Sequence, residues 1–577
     1  MLSYIDYILI ISYFLFTLGI GIYYSKKASE NISSYFVSGR NLPWWLLGTS
    51  MVATTFAADT PLAVTGWIRT DGIWKNWFWW NYIFSHVFII LVFSRLWRRA
   101  EVITDNELIE IRYSSKPAAF LRGFKAFYFS TIFNFIVMGW VISAMVKVFK
   151  VFFGVDQIFA VVFCIIIALI YTSFSGLWGV VVTDFIQYFI ALVGTIVLVV
   201  IIINSNEIGG YSNFVENIQN LDYKTMSLFL STPGAGEDFF SSSFFTFLIF
   251  VTVVWWSSHN ADGGGYFIQR LSSAKNEKHA LLGTAWFAFN HYVIRFWPWV
   301  LVALASILVY PTAEITSGDN EAMYVAMINR FLGPGLKGLL LVSFFAAFMS
   351  TISTHLNWGA SYLLNDIYKR FIKKNESEKH YVLVARILTL ILAVIAGLVA
   401  FQIKNIGDAW IFLWAMSSGI GIVLILRWFW WRINAWSEIS ALVSSLISII
   451  IIILYTRING IPLQLKHQIL VVPVSIICWV TVTFLTKPEP INKLMSFYRR
   501  VRPWGYWKPV TKNMDDLSYV EPIKPLLINW VFGSSFLILL MIGVGKFLLG
   551  YYLTGLLLLI LSAVIFFVVY KRITKNL

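Results

Sequence analysis

MVATTFAADTPLAVTG at residues 51–66 and WWSSHNADGGGYFIQR at residues 255–270 are the two places where long apolar runs of this chain are interrupted. In the first, Pro61 stands two residues after Asp59. An interior proline removes a helical hydrogen bond and clashes with the preceding turn, and an aspartate at the centre of a bilayer costs at least about 2.5 kcal/mol. In the second, His259, Asn260 and Asp262 precede the glycines 263–265. Each glycine is worth about 1 kcal/mol less than alanine in a helix, so three in a row leave little reason to stay wound. Both segments are predicted to break.

Whether such breaks matter depends on what surrounds them. Of the 577 residues, 58% are hydrophobic, 18% aromatic and 13% charged. A soluble chain carries about 25% charged residues, so a water-soluble protein is excluded. Apolar runs of spanning length fall near 4–24, 44–68, 77–96, 126–149, 157–175, 180–203, 241–265, 282–309, 336–362, 383–403, 408–428, 438–456, 468–486, 527–548 and 552–570, which predicts fifteen spans. Of the prolines, Pro61, Pro298 and Pro473 fall at membrane depth.

The net charge of +15 lies in loops, in RLWRRA (95–100), KRFIKK (369–374), the segment 487–526 and KRITK (571–575). No nucleic-acid face is therefore expected. These basic loops all follow odd-numbered spans, so the positive-inside rule places the N-terminus outside and the C-terminus in the cytoplasm, with a bacterial inner membrane as the expected location. The first run contains Asp6 and ends at Lys26 and Lys27, the reverse of a signal peptide. Cys164 and Cys478 sit inside apolar runs and suggest no disulfide framework. GVGKF (543–547) lacks the first glycine and the hydroxyl of a phosphate-binding loop, so direct ATP drive is not expected.

The two breaks lie five spans apart. Five is odd, so halves sharing one fold must insert in opposite orientations, as in many secondary transporters. The expected architecture is an all-α polytopic membrane protein. It has an inverted-repeat 5+5 core with broken first and sixth core helices, one extra N-terminal helix and about four extra C-terminal helices. The corresponding boundaries are 1–43 for the extra helix and its loop, 44–204 and 241–428 for the repeats, 205–240 for an extracellular loop, and 429–577 for the C-terminal helices. Unwound backbone at membrane depth is tolerated where it is buried in protein or lines a cavity, so both breaks point to one site near the midplane. A third feature is the run 336–362, where Ser350, Ser353 and Thr354 share a helical face and Thr351 lies about 100° from Ser350. Two hydroxyls from an intact helix with carbonyls freed from a broken one form a plausible monovalent-cation site, although such hydroxyls also bond the preceding turn or glue helices together.

YFVSGRNLPWW (35–45), SGLWGVVVTDFIQ (175–187), YFIQR (266–270), AAFMSTIS (346–353) and NDIYKRF (365–371) together resemble the sodium:solute symporter family, in order and spacing from residue 1 to about 490. The resemblance implies a sodium site formed by the carbonyls of Ala53, Phe56 and Ala347 and the hydroxyls of Ser350 and Thr351. It places Asp184 on the ion pathway, where the alternative is a helix-capping role. The substrate-binding candidates are Ala57, Asp59 and Thr60 after the first break and His259, Asn260 and Asp262 at the second, where they replace the Tyr-rich gate of better-known members. Trp410 and Trp414 share a face and either wall the pocket or belong to the interfacial aromatic belt, the reading that 26 tryptophans in one chain favour.

The expected function is sodium-coupled import of a small polar organic solute, with sodium as coupling ion, no organic cofactor and no catalysis. Membrane lipid is the surrounding partner, and no obligate protein partner is evident. The rivals are a membrane-embedded lipid or acyl transferase and a transporter-like sensor. Against the enzyme, the seven histidines show no metal-ligand spacing, and His291 and His355 read as helix-packing residues.

Overall fold

The computed structural model describes residues 2–28, 37–55, 57–234, 236, 238–461, 463–512, 514 and 522–574, and it is almost entirely helical. Eleven helices among these are long and apolar enough to cross a membrane, and twelve if the pair Ile406–Ser417 and Gly421–Phe429, bent by 48°, is one span. Fifteen were predicted. Of the other three runs, two are split, and the third, 157–175, continues without a break into the run at 180–203 as one helix, Gln157–Ile203.

The first split is where the sequence places it. A helix over Trp44–Thr54 stops, and the chain winds again over Asp59–Thr70. Pro61 is the third residue of the new helix, where its missing N–H would have had no intrahelical partner. Pro298 and Pro473 likewise stand third in the helices Phe296–Val309 and Val471–Leu485. At the second split the helix ends at Ser257 and Ser258 is extended. Gly263 and Gly264 take φ of 128° and 66°, and winding resumes over Gly265–Ser273. These positive φ values are open to glycine at little steric cost, which explains the glycine run.

The helix Leu336–Tyr362 forms the buried axis of the bundle. Its first turn is capped from another helix: Gly335 and Gly338 donate backbone N–H bonds of 2.8 and 2.7 Å to the Asp6 carboxylate. A carboxylate satisfies the orphan donors there and complements the helix dipole. Trp44–Thr54 packs on Glu277–Phe289 through a glycine contact, Gly48 against the carbonyl of Gly283. A methyl group at Gly48 would meet that carbonyl and the Trp286 ring. Gly48→Ala is therefore expected to destabilise the fold by about 1–3 kcal/mol, the range for overpacking, read as a lower melting temperature in detergent. The last two helices, Ile523–Leu548 and Tyr552–Thr574, pack mainly on each other.

The segment 37–45 is held by residues from the second string and from just beyond the third. Trp178 donates its indole N–H to the Ser38 carbonyl at 3.0 Å, and Leu42 pairs by backbone hydrogen bonds of 3.0 Å with Ser273 and Lys275.

Candidate functional site

The hydroxyl cluster lies beside the first break. Thr351 donates its hydroxyl to the Thr54 carbonyl at 3.0 Å, so the axial helix is tied to the last turn of the broken one. Ser350 donates to one oxygen of Asp184 at 2.5 Å and Ser50 to the other at 2.6 Å. Arg270, in the helix that follows the second break, approaches that same carboxylate at 3.9 Å and donates to Thr354 at 2.7 Å and Thr54 at 3.3 Å. Asp184, Ser50, Ser350 and Arg270 have no exposed surface. A buried carboxylate that accepts two hydroxyls beside an arginine is a paired charge in a network, the condition under which such burial is tolerated. The capping alternative for Asp184 is not what the side chain does: it lies inside the continuous helical segment Gln157–Ile203.

A second arginine braces the break itself. Arg295 donates to the carbonyls of Val52 at 2.7 Å and Thr55 at 2.8 Å and contacts His291. It thus sits at the negative end of the first half-helix. Ala53 and Ala347 are buried among these groups, while Phe56 lies outside the described residues. The donor set is hydroxyls, helix-end carbonyls and one carboxylate, all hard oxygens, and it suits an alkali cation. Among the described residues no cluster of three or more His, Cys, Asp or Glu side chains could hold a metal.

Next to this network lies a cavity of about 240 Å³ whose wall is drawn from both breaks. Ala57, Asp59 and Thr60 line it from the first, and His259, Asn260, Gly263, Gly265 and Tyr266 from the second; Thr351 reaches it from the axial helix. Asp262 is elsewhere. Its carboxylate accepts from Arg427 at 2.6 Å and from the Trp428 indole at 2.9 Å, and Arg427 also reaches Glu438 at 3.4 Å. The second break therefore sends His259 and Asn260 to the cavity and Asp262 into a buried ion pair.

The cavity wall also holds residues that the sequence reading assigned to packing or passed over. His291 and His355 line it, as do His86, Trp79, Tyr82, Trp140 and Trp358. Each histidine is fixed through Nδ1: His86 to Tyr292 at 2.6 Å, His259 to Ser417 at 3.1 Å, His291 to Thr55 at 3.3 Å and His355 to Asn134 at 2.6 Å. His291 lies in a π-helical stretch, Asn290–Ile294, one of several among the described residues, and nothing in the sequence marks it. Trp410 lines the cavity and packs edge-on to Trp67 and Trp140, and Trp414 donates to Ser257 at 3.1 Å. Trp414 is buried, and Trp410 is half-buried on the cavity wall.

A model of the sodium:solute symporter family matches residues 35–448. The chain belongs to the sodium:solute symporter family and is a polytopic all-α membrane transporter. A sodium/glucose cotransporter of Vibrio parahaemolyticus is 24% identical over 476 residues, covering 77% of this chain and 84% of that relative. A sodium/proline symporter of Staphylococcus aureus (strain JH9) is 25% identical over 513 residues, covering 83% and 93%. A solved structure of the substrate-bound, outward-open state of a Na+-coupled sialic acid symporter superposes with a TM-score of 0.70 at 20% identity, covering 85% of this chain and 99% of that one, and so shares the fold.

Proposed function

We propose that the chain is a sodium-coupled symporter, and not an enzyme, that imports a small polar organic solute by alternating access. Its two inverted repeats would be 44–204 and 241–428, in a bacterial inner membrane with the N-terminus outside and the C-terminus in the cytoplasm. Sodium is the co-transported ion, held by the carbonyls of Ala53, Phe56 and Ala347 and the hydroxyls of Ser350 and Thr351, with Asp184 on its path. The observation that carries this reading is the 3.0 Å bond from Thr351 to the Thr54 carbonyl, which puts the hydroxyl helix and the end of the broken helix within reach of one ion. The relatives named for sodium coupling add weight, as do the two breaks, which share one cavity.

A cation bridging these two helices stabilises the state in which the cavity wall is assembled, so sodium and solute favour each other's binding reciprocally. The residues of the chain do the coupling: Thr351 belongs both to the cation's donor set and to the cavity wall. One sodium moving down about 120 mV yields about 2.8 kcal/mol, and a tenfold gradient adds about 1.4. Together these support accumulation on the order of 10³-fold. The test is counterflow of labelled solute in reconstituted liposomes with and without sodium. The reading expects exchange that requires sodium, and sodium-independent exchange would contradict it.

A further inference from the structure

The transport reading leaves the solute's chemistry open, and the next step rests on that reading. Among the described residues lining the cavity, Asp59 contributes the single carboxylate, and no lysine or arginine joins it. The nearby arginines are committed elsewhere: Arg270 to Asp184, Thr54 and Thr354, and Arg295 to the carbonyls of Val52 and Thr55. Asp59 is 4% exposed, and no basic group among the described residues lies within ion-pair distance of it. Its side-chain donor is the Thr60 hydroxyl, at 3.2 Å.

A carboxylate buried in this way at membrane depth is costly unless something of opposite charge joins it. Of the charged groups nearby, Arg295 contributes a favourable field but is itself held by the carbonyls of Val52 and Thr55. What the wall supplies is aromatic faces, those of Trp79, Tyr82, Trp140, Tyr266, Trp358 and Trp410. A cation over such faces is attracted by the ring quadrupoles, more strongly once desolvated, and its pairing with a carboxylate is the charge-assisted kind. The four histidines, each fixed through Nδ1, leave Nε2 for hydroxyl or amide groups on the rest of the solute.

We propose that the solute carries a positively charged nitrogen, an ammonium or amidinium group, seated against Asp59 within these aromatic rings. The same carboxylate could instead accept hydroxyls of a neutral solute or hold a second sodium, and the test separates these outcomes.

Purified full-length protein is titrated in sodium-containing buffer, by thermal shift and by competition, with two matched pairs: choline against 3,3-dimethylbutanol, and tryptamine against tryptophol. The expected result is that the charged member of at least one pair binds about tenfold or more tightly than its neutral partner, a difference worth about 1.4 kcal/mol. Asp59→Asn should bring the two within about threefold of each other. Neutral members binding as well as charged ones, or no binding by either charged probe, would overturn the proposal. The wild-type comparison decides this even if the variant does not fold. A parallel titration with sodium alone keeps the two readings apart. A sodium response without charge preference removes only the solute class, whereas no sodium response removes the symport reading. A sodium response altered by Asp59→Asn, with no preference between the pairs, would assign the carboxylate to an ion and also overturn the proposal.

Discussion

Replacing Ser350 and Thr351 together by alanine is expected to abolish sodium-stimulated uptake while leaving a folded protein. The two hydroxyls are the side-chain part of the proposed cation site, and each is already held in place, Ser350 by Asp184 and Thr351 by the Thr54 carbonyl. Losing a buried hydroxyl partner costs about 1–3 kcal/mol, so losing both should weaken cation binding on the order of 10²–10⁴-fold. No physiological sodium concentration would compensate for such a loss. Thr351→Ser alone keeps the oxygen and should retain most of the uptake. Uptake driven by an imposed sodium gradient in liposomes measures both, and a double variant that still responds to sodium would remove the site.

The second large effect is expected at Asp262. Its carboxylate is 1% exposed and pairs with Arg427, itself 2% exposed, at 2.6 Å. Removing one member of a buried pair leaves the other charge uncompensated and costs about 3–5 kcal/mol. Arg427 keeps Glu438 at 3.4 Å, which places the expected loss at the lower end of that range. Asp262→Ala should therefore lower the melting temperature in detergent markedly. Because replacing a buried pair by apolar groups is often neutral, and Glu438 keeps Lys125 at 3.6 Å, the double variant Asp262→Ala with Arg427→Met should recover part of the loss. Equal melting of Asp262→Ala and wild type would mean that the pair holds nothing together.

The same residue shows where the sequence was informative and where it was not. The break at 255–270 was legible because three glycines and a polar cluster inside an apolar run have a local cost that needs no partner. The fate of its polar residues was not. His259 and Asp262 are three positions apart, yet one faces the cavity and the other an arginine 165 residues further on, a pairing with no local signature. Ser350 and Thr351 could be singled out because a hydroxyl cluster stands out on a buried helix. His86, His291 and His355 could not, since each is a lone histidine on a different helix and only the packing of those helices brings them to one wall. Trp410 was hidden by abundance: with 26 tryptophans in the chain, position within an apolar run distinguishes none of them. The span count differs for a related reason: hydropathy counts apolar runs, whereas the chain breaks two of them and joins 157–175 to 180–203 in one helix.

The most direct measurement is equilibrium binding of radioactive sodium to the purified protein and to the Ser350→Ala, Thr351→Ala double variant, without added solute. Saturable binding to the former that is lost in the latter, with both proteins melting cooperatively, is the result predicted here. Equal binding by the two proteins would contradict the claim that a cation joins the broken helix to the helix at the centre of the bundle.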